Sequence, residues 1–161
     1  MFIYIVRHAW AGEFGDPRWP NDNLRPLTED GKARFQAVAK HLSAAGLAPA
    51  AIATSPLVRT RQTAEILAAA VAPSPVIEEV DALAPGSNLE ELIAWSNRQE
   101  GDVAWVGHAP DVGFLAASLM GDGSANLRFA KGACAAIRFH GQAALKHGEL
   151  YWHATAKLLG Y

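Results

Sequence analysis

The chain is poor in the features that mark disulfide-bonded, cysteine-rich and membrane-spanning proteins. Its 161 residues include one cysteine, Cys134, which excludes an intrachain disulfide and any metal site built from a cysteine cluster. No apolar stretch approaches the ~20 residues that cross a bilayer. Nor does a basic segment followed by a long apolar core open the chain, so we expect a cytoplasmic protein with no membrane partner.

An excess of positive charge is also lacking. Lysine and arginine total 14 against 16 aspartates and glutamates, a net charge of −2 at pH 7. Domains that bind nucleic acid through their overall field are strongly basic, so we expect no nucleic-acid partner. Half of the residues are hydrophobic. A chain of this length fits one domain, residues 1–161, that buries roughly two-thirds of its unfolded surface.

What the chain does contain is a regular alternation of strand and helix patterns. Strands are predicted at residues 2–6, 51–54, 75–80, 103–107, 133–139 and 149–153. Helices are predicted at residues 28–46, 55–71 and 89–96, and from residue 110 onward, with Ser55 as the N-cap of the second helix and Pro56 as its first residue. This order predicts an α/β three-layer sandwich, with a mixed, mostly parallel sheet and helices on both faces.

Two of the predicted strands end in histidines. Arg7 and His8 follow the first apolar run, and His108 follows the strand at 103–107. Ligands of open α/β sheets bind at the carboxyl ends of the strands, so we expect these side chains to meet at one edge. Arg59, in the first turn of the second helix, would lean back toward that edge. Paired arginines beside a helix N-terminus favour an oxyanion, above all phosphate.

Three segments resemble the motifs of the histidine phosphatase superfamily, whose fold is phosphoglycerate mutase-like. They read Val-Arg-His-Ala at 6–9, Ser-Pro-Leu-Val-Arg-Thr-Arg-Gln-Thr at 55–63 and Val-Gly-His at 106–108. Arg-Pro-Leu-Thr at 25–28 and His-Ala-Pro at 108–110 are most similar to its small SixA-type branch, the phosphohistidine phosphatases. The resemblance runs from residue 3 to about residue 113, and the rest matches only as generic strands.

The resemblance implies a role for each matching residue. His8 would be the nucleophile and form a phosphohistidine intermediate that water hydrolyses. Arg7, Arg59 and His108 would hold the phosphoryl group. Arg25 matches a family arginine that reaches the same pocket, and a place on the loop surface is the alternative. Because guanidinium groups supply the positive charge, the resemblance implies no metal and no cofactor.

The chain departs from the family pattern at the general acid. Phosphomonoesterases and mutases of the superfamily carry a carboxylate just after the third strand, where this chain has Ala84 or Pro85. Asp81 lies nearby, either as that acid or as a solvated residue at the strand end. A general acid contributes roughly 10²–10⁴-fold when the leaving group is an alkoxide. The imidazole of a phosphohistidine departs more easily, so the sequence favours hydrolysis of the P–N bond of a phosphohistidine-bearing protein.

Two other functions remain open on the sequence. A broad-specificity phosphomonoesterase would act on small phosphorylated substrates, with Asp81 or Glu79 as its acid. A phosphate- or phosphoprotein-binding module would keep the same residues without turnover. The sequence indicates neither the physiological substrate nor the oligomeric state. It also leaves open whether Trp10 and Trp19, in the long segment 9–26, cover the site or attach that segment to the body of the domain.

Overall fold

A computed structural model describes residues 1–161 as a six-stranded sheet with helices on both faces. The strands are β1 (Phe2–Arg7), β2 (Ala51–Thr54), β3 (Val76–Glu79), β4 (Val103–Gly107), β5 (Cys134–Arg138) and β6 (Glu149–Ala154). The helices are α1 (Glu29–Ala44), α2 (Val58–Ala69), α3 (Leu89–Ser96) and α4 (Asp111–Met120), with 3-10 turns at Asp22–Leu24 and Asp81–Leu83. The predicted α/β three-layer architecture is confirmed.

The strand order, β3-β2-β4-β1-β5-β6, places β1 and β4 at the centre. These two strands are parallel, with Arg7 opposite Gly107, and β2 is parallel to both β4 and β3. Strands β5 and β6 continue the sheet in antiparallel fashion. Because β1, β2 and β4 run in one direction, the residues that follow them meet at one edge of the sheet. His8, Ser55 and His108 therefore lie side by side.

The sheet separates two apolar cores, which explains the continuous apolar runs of the central strands. Ile3 and Ile5 of β1 face the core beneath α3 and α4, whereas Tyr4 and Val6 face the core beneath α1 and α2. A strand that is buried on both faces carries apolar residues at successive positions, so its sequence does not alternate between apolar and polar residues. The spacing in α1 correctly predicts its buried face, formed by Phe35, Val38, Ala39 and Leu42. None of the helices is both long enough and apolar enough to span a bilayer.

The start of α2 differs from the sequence prediction. Ser55 is not its N-cap and Pro56 is not its first residue, because the helix begins at Val58 after Leu57. The Ser55 hydroxyl instead accepts from the Leu57 N–H at 3.3 Å and contacts the His108 ring. That cross-strand contact holds Ser55 at the sheet edge, three residues before the first residue of the helix. Arg59 remains in the first turn.

The segment between β1 and α1 is tied to the body of the domain. Ala11 and Leu27 form an isolated antiparallel bridge near its two ends. The Trp10 ring packs against the core on one side. On the other side the Arg34 guanidinium stacks on the Trp10 ring, 4.0 Å from the ring centroid. Trp10 thus attaches the segment rather than covering the site, whereas Trp19 lines a small cavity within the segment itself.

Candidate active site

The structure brings together the four side chains that the sequence singles out at the sheet edge. Arg7 ends β1 and His8 follows it, His108 follows β4, and Arg59 comes from the first turn of α2. The His8 and His108 rings lie 5.4 Å apart between centroids. His8, His108 and Arg59 are 7%, 5% and 6% exposed, respectively. Two imidazoles and two guanidinium groups therefore share one largely dehydrated pocket.

Three side-chain nitrogens of this pocket lack a hydrogen-bond partner. The buried side-chain nitrogens and oxygens without a hydrogen-bond partner are Arg7 Nε, Arg59 Nε, His108 Nδ1 and His153 Nε2, and the first three belong to the pocket. Buried polar groups are nearly always paired in folded proteins. Arginine nitrogens can only donate. Unpaired donors gathered at one place indicate that the pocket is built to receive an oxyanion.

His8 has one ring nitrogen that is not engaged by the protein. Its Nδ1 lies 2.7 Å from the Ala9 carbonyl oxygen, which can only accept, so Nδ1 carries the proton and Nε2 carries the free lone pair. The His8 pKa is lowered to about 3, mainly by burial, which this hydrogen bond opposes in part and to which the neighbouring His108, Arg59 and Arg7 add in that order. His8 is therefore neutral across the physiological pH range, as a nucleophile must be.

His108 is held by the serine that follows β2. Its Nε2 lies 2.9 Å from Ser55 Oγ, which accepts from the Leu57 N–H and whose own hydrogen has no other acceptor within reach. We assign that hydrogen to Nε2, which leaves the His108 proton on the unpartnered Nδ1. Burial and then the charge of Arg59 lower the His108 pKa to about 4. At neutral pH the ring is an uncharged donor.

A carboxylate that sequence reasoning missed links Arg25 to Arg59. Arg25 Nε donates to Asp22 Oδ1 at 2.7 Å, and Arg25 Nη1 donates to the Gly12 carbonyl oxygen at 2.5 Å. Arg59 Nη1 donates to the Asp22 carbonyl oxygen at 2.9 Å and lies 3.2 Å from Oδ2. These partners hold the Asp22 pKa below its usual range, with the Arg25 hydrogen bond as the main cause. Arg25 is buried beside this carboxylate and not on the loop surface.

Thr63 joins the chain after β1 to α2. Its hydroxyl accepts from the Ala9 N–H at 3.0 Å and donates to the Arg59 carbonyl oxygen at 2.7 Å. The backbone that follows His8 is thereby fixed relative to the helix that carries Arg59. Thr63 ends the 55–63 motif, one helical turn after Arg59, and this spacing is the only sequence signal for its position.

The two candidate acids lie on the edge strand or just after it. Glu79 ends β3 and forms a close ion pair with Arg61 on the surface. The Asp81 side chain, exposed at the start of a 3-10 turn, has neither a hydrogen-bond nor an ion-pair partner. Strand β3 is separated from β1 by β2 and β4, roughly 14 Å across the sheet. Ala84 and Pro85 at the family's usual position carry no ionisable group.

Comparison with known proteins places this pocket in a family. Residues 3–84, half of the chain, match the model of the histidine phosphatase superfamily, branch 1. The chain belongs to that superfamily. An uncharacterized protein of Picosynechococcus sp. is 42% identical over 118 residues, which cover 70% of this chain and 69% of that protein.

Two solved structures of phosphatases share the complete fold. The protein histidine phosphatase SixA, determined with tungstate, superposes with a TM-score of 0.83 at 24% identity and covers 99% of both chains. The α-ribazole phosphatase of Shigella flexneri gives 0.72 at 15% identity and covers 97% of both chains. Identities this low establish a common fold. The two relatives differ in the class of substrate that their names describe.

Family membership agrees with the chemistry of the pocket. Arg7, His8, Arg25 and Arg59 lie within the matched residues, and His108 lies beyond them. The structure contains no cluster of three or more histidine, cysteine, aspartate or glutamate side chains arranged to hold a metal ion. The positive charge of the pocket comes from guanidinium groups, whose planar forks suit phosphoryl oxygens.

Proposed function

We propose that this phosphatase hydrolyses the P–N bond of phosphohistidine on proteins through a covalent intermediate on His8, without a metal ion. The observation that carries the proposal is that no carboxylate stands where the family's esterases carry their acid. Ala84 and Pro85 occupy that position, and Glu79, on the edge strand, is paired with Arg61. The SixA-like fold supports the same substrate class.

The first step transfers the phosphoryl group to the enzyme. The lone pair of His8 Nε2 forms a bond to phosphorus while the P–N bond to the substrate imidazole breaks. When the distal nitrogen of the substrate ring already carries a proton, the imidazole departs as a neutral molecule that takes the bonding electrons. No acid has to act in the transition state. An alkoxide leaving group, in contrast, needs that proton.

The second step returns the enzyme to its starting form. Water attacks phosphorus of the phosphorylated His8, the bond to Nε2 breaks, and inorganic phosphate leaves. In both steps the negative charge spreads over three equatorial phosphoryl oxygens. Arg7 Nε, Arg59 Nε and His108 Nδ1 are the three buried donors without acceptors, and we propose that they bind these oxygens. Arg25 acts indirectly, because it binds the Asp22 carboxylate that also contacts Arg59.

Steady-state kinetics on matched substrates test the proposal. We expect kcat/KM for a phosphohistidine peptide to exceed that for an aliphatic phosphate ester by at least the roughly 10²-fold that a general acid would contribute. Asp81→Asn and Glu79→Gln should leave the phosphohistidine rate unchanged. Comparable values of kcat/KM on the two substrate classes would refute the P–N preference.

A broad-specificity phosphomonoesterase is the second candidate, favoured by the fold it shares with α-ribazole phosphatase and by the unpaired carboxylate of Asp81. This candidate predicts that losing the acid affects the rate according to the leaving group. Asp81→Asn would then lower kcat on esters with poor leaving groups far more than on aryl phosphates. Should neither Asp81→Asn nor Glu79→Gln have that effect, this candidate loses its acid.

Trapping the intermediate separates both enzymes from a binding module. Rapid acid-free quenching after addition of a 32P-labelled substrate should leave label on the protein, and His8→Ala should remove it. His147→Ala, at an exposed position in the connection between β5 and β6, is the matched control and should retain the label. A wild-type protein that binds the substrate but takes up no label would be a binding module.

A further inference from the structure

A second, strongly cationic feature adjoins the pocket formed by Arg7, His8, Arg59 and His108, which we call the phosphoryl pocket or the His8 pocket. An open groove with a volume of about 590 Å³ begins at Arg7 and is bordered by the segment before β5 and the segment after β6. Its cationic lining comprises Arg7, Arg34, Arg128, Lys131 and Lys157. No aspartate or glutamate lines it. We name it the cationic groove.

Aspartate and glutamate side chains do not neutralise the charges of the cationic groove. None of its five cations pairs with a carboxylate side chain, whereas Arg25 and Arg59 in the neighbouring pocket are both paired with Asp22. Arg128 lies close enough to Arg7 to lower its pKa, second to the effect of burial. Like charges that lie close together repel one another. The groove concentrates positive charge on a protein whose net charge is −2. Such a local excess is typical of a surface that receives an anionic partner.

The groove has an ordered aromatic floor beneath its cations. The guanidinium of Arg34 stacks over Trp10, 4.0 Å from the ring centroid, and donates to the main-chain oxygen of Tyr161 at 2.9 Å. Arg128 and Lys157 are exposed at the rim. Tryptophan and arginine are enriched in protein interfaces, where a flat apolar surface and fixed donors act together.

The distribution of the cations distinguishes between classes of anion. A single phosphate needs donors that converge within hydrogen-bond distance of one group, as in the His8 pocket. The cations of the groove come from separated segments, 7, 34, 128–131 and 157, and line an open surface. That arrangement suits an extended segment carrying several carboxylates, with its backbone and apolar atoms over Trp10.

We propose that the cationic groove binds an acidic segment of the protein substrate, adjacent to the phosphohistidine that enters the His8 pocket. Arg7 lines the groove and also belongs to the phosphoryl pocket, so one bound chain would occupy both. The inference rests on the proposed function and adds to it the sequence class of the substrate. Exposed ion pairs are each worth on the order of a few-fold in affinity, so three of them amount to about tenfold.

The experiment compares two phosphohistidine peptides of equal length, one with flanking glutamates and one with glutamines at the same positions. Wild-type protein should hydrolyse the acidic peptide with a kcat/KM about tenfold higher, and added salt should reduce this ratio. In the triple variant Arg128→Gln/Lys131→Gln/Lys157→Gln the ratio should fall close to one. Circular dichroism and thermal unfolding verify that the variant is folded.

A matched triple variant controls for net charge. Arg98, Lys40 and Lys146 are exposed, unpaired cations outside the groove, so Arg98→Gln/Lys40→Gln/Lys146→Gln changes the charge equally. It should keep the wild-type ratio, and a loss equal to that of the groove variant would overturn the inference.

The remaining outcomes separate this inference from the proposed function. Equal kcat/KM on the two peptides overturns the inference and leaves phosphohistidine hydrolysis standing. If the two peptides are hydrolysed equally while tripolyphosphate inhibits and the groove variant relieves that inhibition, the groove binds small polyphosphates and not an acidic segment. Hydrolysis of neither peptide by the wild-type protein overturns the proposed function and this inference together.

Discussion

Acidification should destabilise this protein through its two site histidines. Burial lowers the pKa of His8 to about 3 and that of His108 to about 4, whereas an unfolded chain has the ordinary histidine value of 6.5. Between those values the unfolded state binds more protons, so the free energy of unfolding falls as the pH drops below 6.5. From pH 7 to pH 5 each histidine contributes a loss of about 2 kcal/mol, or about 4 kcal/mol for the pair.

This loss of unfolding free energy depends little on how far below 5 the folded pKa values lie, because neither ring is protonated in the folded state above pH 5. Urea unfolding at pH 7 and pH 5 measures it directly. In His8→Asn, whose amide can still donate to the Ala9 carbonyl, the loss between the two pH values should be smaller by about 2 kcal/mol. His147→Asn replaces an exposed histidine and should behave as wild type. An identical pH dependence in His8→Asn and wild type would refute the argument that His8 is buried and neutral.

Two further substitutions test the contacts that hold the pocket. Asp22→Asn removes the charge shared by Arg25 and Arg59 and should lower the free energy of unfolding by about 1–2 kcal/mol in urea titrations, a result that an unchanged midpoint would contradict. Thr63→Val leaves the Ala9 N–H without its acceptor and should cost about 1–3 kcal/mol together with a fall in kcat on a phosphohistidine peptide. Thr63→Ser should restore both, and failure of that rescue would show that the hydroxyl does not position Ala9.

The sequence could predict the parts of the site that local patterns determine. Apolar runs that stop at Arg7-His8 and Gly107-His108 place two histidines at strand ends, and parallel strands bring such ends together. The prediction for Ser55 was wrong because a serine before a proline usually caps a helix, whereas here its hydroxyl is engaged by His108, 53 residues away. Asp22 was missed for the same kind of reason. Its partner Arg59 is 37 residues distant, and no periodicity reports a contact of that range.

The charge balance of the structure assigns different physical tasks to the pocket and the groove. Arg25 and Arg59 are neutralised in part by Asp22 and largely buried, so in the proposed mechanism they act at short range on a phosphoryl group that has already entered. Arg128, Lys131 and Lys157 of the groove have no carboxylate partner and lie outside the His8 pocket, and Arg128 and Lys157 are exposed to solvent. Charges of the second kind act over about one Debye length and raise association rates. Salt should therefore reduce kcat/KM on an acidic protein substrate while leaving kcat nearly constant, because binding and chemistry depend on different cations.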